Sequence, residues 1–412
     1  MKRTKIIIGL FLGAICWTCS TEYPVVIPNL QPSIASMDDV PGISKPLMEG
    51  VYTVSAADAR FGEEVVIKWA GSYVSIFTRS SYMILETGQQ DMNIYMRGYW
   101  RVPTGDGTGL VDLVIPNAQG GSDILNGIMP ASFAITGFYG DQNNLPNRAI
   151  TFTYKRGFSA KVTSKKFHVV GHRGGGRTSD RLPVSENSIP MIGFAERLGA
   201  NGIEIDVRLT KDKKPILYHD GDLNIRLTTK GPLNGPIKDF NWNQLQTFVR
   251  LIRGEEIPLL DDVLKYVVDS TNLQFVWLDM KDAEAVAYTE PIQRFYLDYA
   301  QSKGRIVDIL IGVPADDVLA ALKALPGFTT IPSLCEISTD EARILNSRAW
   351  GPRWTLGTQN ELVAQVQAEG RIALCWTLDL PGYINQFIRD GQFDGLLTNY
   401  PSTVAYYHYI QE

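Results

Sequence analysis

Gly202-Ile203-Glu204-Ile205-Asp206-Val207-Arg208-Leu209 is the segment on which the architecture turns. Ile203, Ile205, Val207 and Leu209 alternate with Glu204, Asp206 and Arg208, the two-residue period of a β-strand, so two carboxylates share one face. Burying even one unpaired carboxylate costs on the order of several kcal/mol, so such a pair requires water, a cation or basic partners. An ordinary half-exposed strand would show the same pattern, and a second strand shifts the balance. Gln274-Phe275-Val276-Trp277-Leu278-Asp279-Met280-Lys281 is apolar until its end, where Asp279 and Lys281 again stand two residues apart on one face. Glu204, Asp206 and Asp279 together offer three hard oxygen ligands, which suit Ca2+ or Mg2+ rather than zinc or copper. There is no paired-cysteine motif and no His-Glu-x-x-His helix.

The chain has four histidines, His168, His172, His219 and His408. His172 follows the apolar run Phe167–Val170 and precedes Arg173 and three glycines, so the backbone can approach a ligand there while imidazole and guanidinium project from a strand end. His219 closes the short apolar run Pro215–Tyr218. Taken singly, a histidine in a turn and an arginine in a surface ion pair are the commoner fates of such residues. Four strand ends carrying reactive groups together outweigh that, and point to metal-assisted phosphodiester chemistry. His168 is expected in the core or the barrel wall, and His408 on the surface of a terminal helix.

Further motifs follow in order: Ile257-Pro258-Leu259-Leu260-Asp261-Asp262, Leu374-Cys375-Trp376-Thr377-Leu378-Asp379, and Asp394-Gly395-Leu396-Leu397-Thr398-Asn399-Tyr400-Pro401. With those already quoted, they make the chain from about Phe167 onward resemble the glycerophosphodiester phosphodiesterase family. The resemblance implies an α/β fold, a (β/α)8 TIM barrel, that hydrolyses a small glycerophosphodiester to glycerol phosphate and an alcohol. It implies one divalent cation, Ca2+ or Mg2+, held by Glu204, Asp206 and a glutamate at the position of Asp279, whose side chain is one methylene shorter. It also implies His172 and His219 as the acid/base pair, Arg173 and Lys281 as phosphate ligands, and Glu186 with Asn187 lining the site. Glu186 has a second reading as helix-start chemistry, with Ser185 as the cap. Trp376 is read as a wall for the substrate or equally as a packed core aromatic. Two other outcomes stay open: a phospholipase-like or cyclising phosphodiesterase acting on lipid or phosphoinositol headgroups, and a non-catalytic ligand-binding surface lipoprotein.

Independently of the resemblance, short apolar runs alternate with amphipathic segments from residue 167 onward, the pattern of a parallel sheet. Strands are predicted at 167–172, 202–209, 214–219, 274–280, 305–313, 329–337, 372–378 and 394–398, with 353–357 competing for the sixth place. Helices are predicted at 187–198, 259–269, 315–324 and 359–369, the last opening with Thr358 and Glu361 in capping-box spacing and closing at Gly370. The motif residues fall at the carboxyl ends of strands, the face on which such barrels build their sites.

Upstream, Lys2, Arg3 and Lys5 precede an apolar run from Ile6 to Trp17, shorter than the roughly 20 residues a bilayer span needs. Residues 1–19 read as a signal peptide of lipoprotein type with Cys19 as the acylated residue, and 20–46 as a tether. The expected location is therefore outside the cytoplasm, periplasm or cell surface, held to the outer membrane through a lipid anchor alone. Residues 47–160 show short strand-like runs separated by Gly, Pro and Asn, an all-β domain of barrel or sandwich type, followed by the TIM barrel over 161–412. Cys335 and Cys375 are expected as buried thiols. With 39 basic and 44 acidic residues, net charge −5, and no basic run beyond the leader, nucleic acid is excluded as a partner.

Overall fold

The computed structural model describes residue 34 and residues 36–56 and 58–412. The leader, Cys19 and the first part of the tether lie outside the described residues.

Eight antiparallel strands form the first unit: β1 (Gly50–Ser55), β2 (Glu64–Ala70), β3 (Tyr73–Phe77), β4 (Tyr82–Gln90), β5 (Asn93–Arg101), β6 (Thr108–Ile115), β7 (Ala134–Tyr139) and β8 (Arg148–Arg156). Each pairs with the next and β8 closes on β1, so the all-β domain is an up-and-down barrel and not a sandwich. At eight strands the interior is just wide enough for side chains to fill it. Tyr52, Phe61, Trp100, Phe133 and Phe152 do so, with the Trp100 indole N–H donating to the Gly140 carbonyl at 2.8 Å. Val40 and Met48, ahead of β1, are buried in the same core. β4 is apolar for four residues and then runs Glu-Thr-Gly-Gln-Gln, so its second half carries no apolar alternation.

The second unit is a closed barrel of eight parallel strands in the order β9 (His168–Gly171), β10 (Gly202–Leu209), β14 (Phe275–Met280), β15 (Asp308–Val313), β16 (Ser333–Cys335), β17 (Ala349–Trp350), β18 (Ile372–Cys375) and β19 (Gly395–Thr398), with β19 returning to β9. Between β10 and β14 lie β11 (Pro215–Leu217) and the small ribbon β12 (Asp222–Leu223) and β13 (Gly235–Pro236). The predicted strand 214–219 is therefore not a barrel strand: β11 pairs antiparallel with β10 as a hairpin. Its place in the count of eight belongs to Ala349–Trp350, while 353–357 carries a 3-10 turn, Trp354–Leu356. The β10 alternation is as read. Ile203, Ile205 and Val207 pack outward against helices, and Glu204 and Asp206 share the inward face with Val170 and Trp277 of the barrel interior.

Two local expectations are corrected. The helix predicted at 359–369 starts at Asn360, with Gln359 at its N-cap in the left-handed region (φ 43°) and no side-chain cap, so the Thr358/Glu361 capping box does not form. His408 is buried and stacks on Phe167 with ring centroids 4.3 Å apart, because the terminal helix Pro401–Tyr409 is wedged against strands of both barrels and has no free face. Cys335 and Cys375 are buried free thiols, and His168 is buried in the barrel wall. Between the two barrels, Val66, Phe77, Tyr82 and Tyr99 pack on Leu182, Met191, Phe194 and Leu198 in one continuous apolar cluster.

Candidate active site

Parallel pairing of β10 with β14 sets Asp206 directly beside Asp279 and Glu204 beside Trp277. Ligand oxygens of Glu204, Asp206 and Asp279 consequently lie within 4.8 Å of one another at the carboxyl end of the barrel. Burial, then the charges of Asp206 and Asp279, push the Glu204 carboxyl well above its usual range. Burial also raises Asp279. Burial opposes ionisation of Asp206 too, but the charge of Lys281, with that of Arg173, outweighs it and holds the group at about 2. Glu204 Oε1 and Asp279 Oδ1 are buried with no hydrogen-bond partner. Unpaired buried carboxylate oxygens at this spacing fit a hard divalent cation, and the shorter Asp279 side chain reaches the cluster.

Lys281, read as a phosphate ligand, has its ammonium 2.8 Å from Asp206 Oδ1 and also paired with Asp279, so its charge is engaged inside the carboxylate cluster. Asn187 braces Asp206 from behind: its Nδ2 donates to Asp206 Oδ2 at 2.6 Å and its Oδ1 accepts from the Asp206 N–H at 3.1 Å. Asn187 thus supports the cluster instead of lining the cavity.

His172 and Arg173 sit where β9 breaks into a left-handed turn, Arg173 having φ 54°. That turn aims the Arg173 N–H at Glu204 Oε2, 2.8 Å away, and leaves His172 Nε2 3.6 Å from the same oxygen. His172 Nδ1 lies 2.8 Å from Asn399 Oδ1, and Asn399 is fixed in turn by donating from Nδ2 to Asp379 Oδ2 at 2.6 Å. The amide therefore presents its oxygen to the ring, so Nδ1 carries the proton and Nε2 keeps its lone pair. Burial and the Arg173 charge hold the His172 pKa down at about 4, so the ring is neutral. His219 also turns Nδ1 to an oxygen, here a carboxylate, with Asp220 Oδ1 2.6 Å away. Burial would raise Asp220, but hydrogen bonds from Arg226, His219 and Asn224 outweigh it and keep the carboxylate ionised far below its ordinary range.

Glu186 is buried and receives Arg173 Nη1 at 2.7 Å and the Thr178 N–H at 2.8 Å. It is not in a helix first turn: Ser188 caps the helix Ile189–Ala195 by accepting from the Met191 N–H, while Ser185 donates to Glu255 Oε2 at 2.6 Å. Glu186 orients the guanidinium of Arg173. Both histidines, Arg173, Glu204, Asp279 and Lys281 open onto one cavity of about 520 Å3. Its opposite wall includes Trp376, pinned by an indole hydrogen bond to the Gly351 carbonyl at 2.7 Å. Trp277 lies in the barrel interior under that cavity, in space that Gly312 and Gly351 leave: a Cβ at either would meet the indole at 2.5 and 3.2 Å.

Sequence reasoning missed Asp220 as the partner of His219 and Asn399 as the partner of His172, although Asp220 directly follows its histidine and Asn399, like the Asp379 that fixes it, stands inside a quoted motif. It also missed Arg226, which bridges Asp220 and Glu186, and Glu336, whose buried Oε1 is unpartnered on the cavity wall. No local pattern marks either one.

A family model described as the glycerophosphoryl diester phosphodiesterase family matches residues 172–403, more than half of the chain and all the groups just described. The chain belongs to that family. The β-barrel domain lies outside the matched span. Among curated members, a glycerophosphodiester phosphodiesterase of Caldanaerobacter subterraneus is 36% identical over 107 residues, covering 24% of this chain and 40% of that protein. One from Bacillus altitudinis is 34% identical over 93 residues, covering 21% and 36%. The chain thus spans about 40% of the length of these curated family members. Among solved structures, a glycerophosphodiester phosphodiesterase from Parabacteroides distasonis aligns at 22% identity over 58% of this chain and 96% of that one, TM-score 0.47. A phosphodiesterase from Oleispira antarctica in complex with the product sn-glycerol-3-phosphate aligns at 20% identity over 59% and 97%, TM-score 0.46.

Proposed function

We propose that this protein is a cation-dependent phosphodiesterase that hydrolyses glycerophosphodiesters to glycerol phosphate and an alcohol. The observation that carries the reading is that two imidazoles, one with a neutral amide oxygen and the other with a carboxylate on its Nδ1, face one cavity beside the carboxylate cluster. His172, with Nε2 unprotonated, takes the proton of the attacking water. His219, oriented through Nδ1 by the anionic Asp220, gives its Nε2 proton to the departing alkoxide as the P–O ester bond breaks. Water's oxygen stays on phosphorus, and proton exchange with solvent resets both rings. Arg173, held by Glu186, stabilises charge on the nonbridging oxygens. Glu204, Asp206 and Asp279 would hold the cation, which supplies Lewis-acid stabilisation of the same charge when bound.

Full-length protein incubated with glycerophosphocholine is expected to release choline and glycerol phosphate, to stop when a chelator is added, and to resume with Ca2+ or Mg2+. No turnover under any of these conditions would remove the reading. A cyclic glycerol phosphate appearing first would replace water as the nucleophile by the substrate's own neighbouring hydroxyl.

The leader extends this proposal to location: lipid attachment at Cys19 would hold the enzyme outside the cytoplasm, in the periplasm or at the cell surface, anchored to the outer membrane. Cys19→Ser is expected to shift the protein from the membrane to the soluble fraction on cell fractionation, and an unchanged distribution would argue against acylation there.

A further inference from the structure

The β-barrel domain lies outside the family match, yet one of its side chains reaches the active-site loop. Seventeen residues, 172–188, separate β9 from the helix Ile189–Ala195; they contain three consecutive glycines and left-handed residues at Arg173, Arg181 and Asn187, with only two short 3-10 turns. Such a segment is weakly constrained by its own backbone. Arg101, the last residue of β5, is 1% exposed, and its guanidinium donates across the domain boundary to the main-chain carbonyls of Asp180 (2.6 Å) and Arg181. Arg181 returns an ion pair to Asp106 in the loop that follows β5. Burying a guanidinium against carbonyls is costly, which makes sense where the position of that turn matters.

Two hydrogen-bonded routes lead from the turn to the chemistry. In the first, the Thr178 N–H at the head of the turn donates to Glu186 Oε2, and Glu186 Oε1 accepts from Arg173. In the second, the Asp180 carboxylate accepts from Arg177 and from the Tyr400 hydroxyl at 3.0 Å, one residue from the Asn399 that orients His172.

We propose that Arg101 is a positioning residue through which the β-barrel domain fixes the turn 178–181, and thereby Glu186 and the phosphate-facing guanidinium of Arg173. The proposal rests on the phosphodiesterase reading for what Arg173 binds. It gives the accessory domain a role in ordering the site of the catalytic barrel, and Arg101 itself touches no substrate.

The test is a double-mutant cycle on the full chain, Arg101→Met with Glu186→Gln. It is read by calorimetric affinity for sn-glycerol 3-phosphate and by separate kcat and KM values for glycerophosphocholine. Arg101→Met is expected to weaken product binding and raise KM by about tenfold with kcat within about twofold, and to add less than about twofold when Glu186 is already glutamine, the non-additivity of residues acting through one another. An unchanged affinity in folded Arg101→Met, or an equal loss in both backgrounds, overturns the proposal. If Arg101→Met does not melt cooperatively, Arg101→Lys, which keeps the charge but cannot span both carbonyls, is expected to weaken binding in the same sense, and unchanged affinity there overturns it as well. Wild-type protein that binds glycerol phosphate in an Arg101-dependent way but hydrolyses no diester would support the positioning role while removing the enzymatic reading. Absence of any glycerol phosphate binding would overturn the positioning role itself.

Discussion

Replacing His172 or His219 by alanine is expected to lower kcat for glycerophosphocholine by about 10²–10⁴-fold, the range that positioned general acids and bases contribute. Neither ring belongs to the apolar clusters that hold the barrel together, so both variants should melt within a few degrees of wild type. The two losses should separate with the leaving group. His219 is assigned the donation of a proton to the departing alkoxide, because Asp220 lies on its Nδ1. A diester with a p-nitrophenolate leaving group needs no such donor, so His219→Ala should recover much of its rate on that substrate. His172 is assigned the abstraction of a proton from water, because Asn399 presents an oxygen to Nδ1 and leaves Nε2 as an acceptor. That task is the same whatever group departs, so His172→Ala should stay inactive on both substrates. Recovery in His172→Ala with loss in His219→Ala would exchange the two roles.

Much of this site is legible in the sequence because strand alternation is a strong signal. Glu204 and Asp206 share a face by period alone, and Asp279 repeats the pattern one strand along. What the period cannot supply is register, and it is the parallel pairing that sets Asp206 beside Asp279 and closes the cluster. The misassigned strand had its own warning. Only five residues join Leu209 to Pro215, far too few for a parallel crossover, which needs a dozen or more, so a hairpin was the physically permitted connection. Ala349–Trp350 is two residues long and carries no period to detect. Asp220 and Asn399 act through hydrogen bonds to rings, Asn399 227 residues from its histidine in the chain, and Arg101 acts across a domain boundary. The contacts of Asn399 and Arg101 depend on how finished elements pack, and no local pattern encodes them; Asp220 is the neighbour of its histidine in the chain, but only the turn's geometry brings its carboxylate to Nδ1.

Lys281 offers the second large effect. In the structure its ammonium neutralises Asp206 and Asp279, and burial alone would otherwise penalise three carboxylates meeting at one strand end. Removing one partner from a buried ion pair leaves uncompensated charge and typically costs about 3–5 kcal/mol. Lys281→Met in chelator is therefore expected to lose stability on that scale in urea unfolding. A divalent cation binds only the folded cluster, and at a hundredfold excess over Kd such binding returns about 2.7 kcal/mol by mass action. In wild type the cation must share Asp206 and Asp279 with the ammonium; in Lys281→Met it meets them unopposed. Ca2+ or Mg2+ should accordingly raise the Tm of Lys281→Met more than that of wild type, even though the variant starts lower. Activity need not follow, since Lys281 also faces the cavity in which the phosphate would lie. If Lys281→Met melts like wild type in chelator, the ammonium is not the counter-charge of the cluster. If neither protein responds to cation, Glu204, Asp206 and Asp279 are not a cation site, and the chemistry assigned to them falls independently of the two histidines.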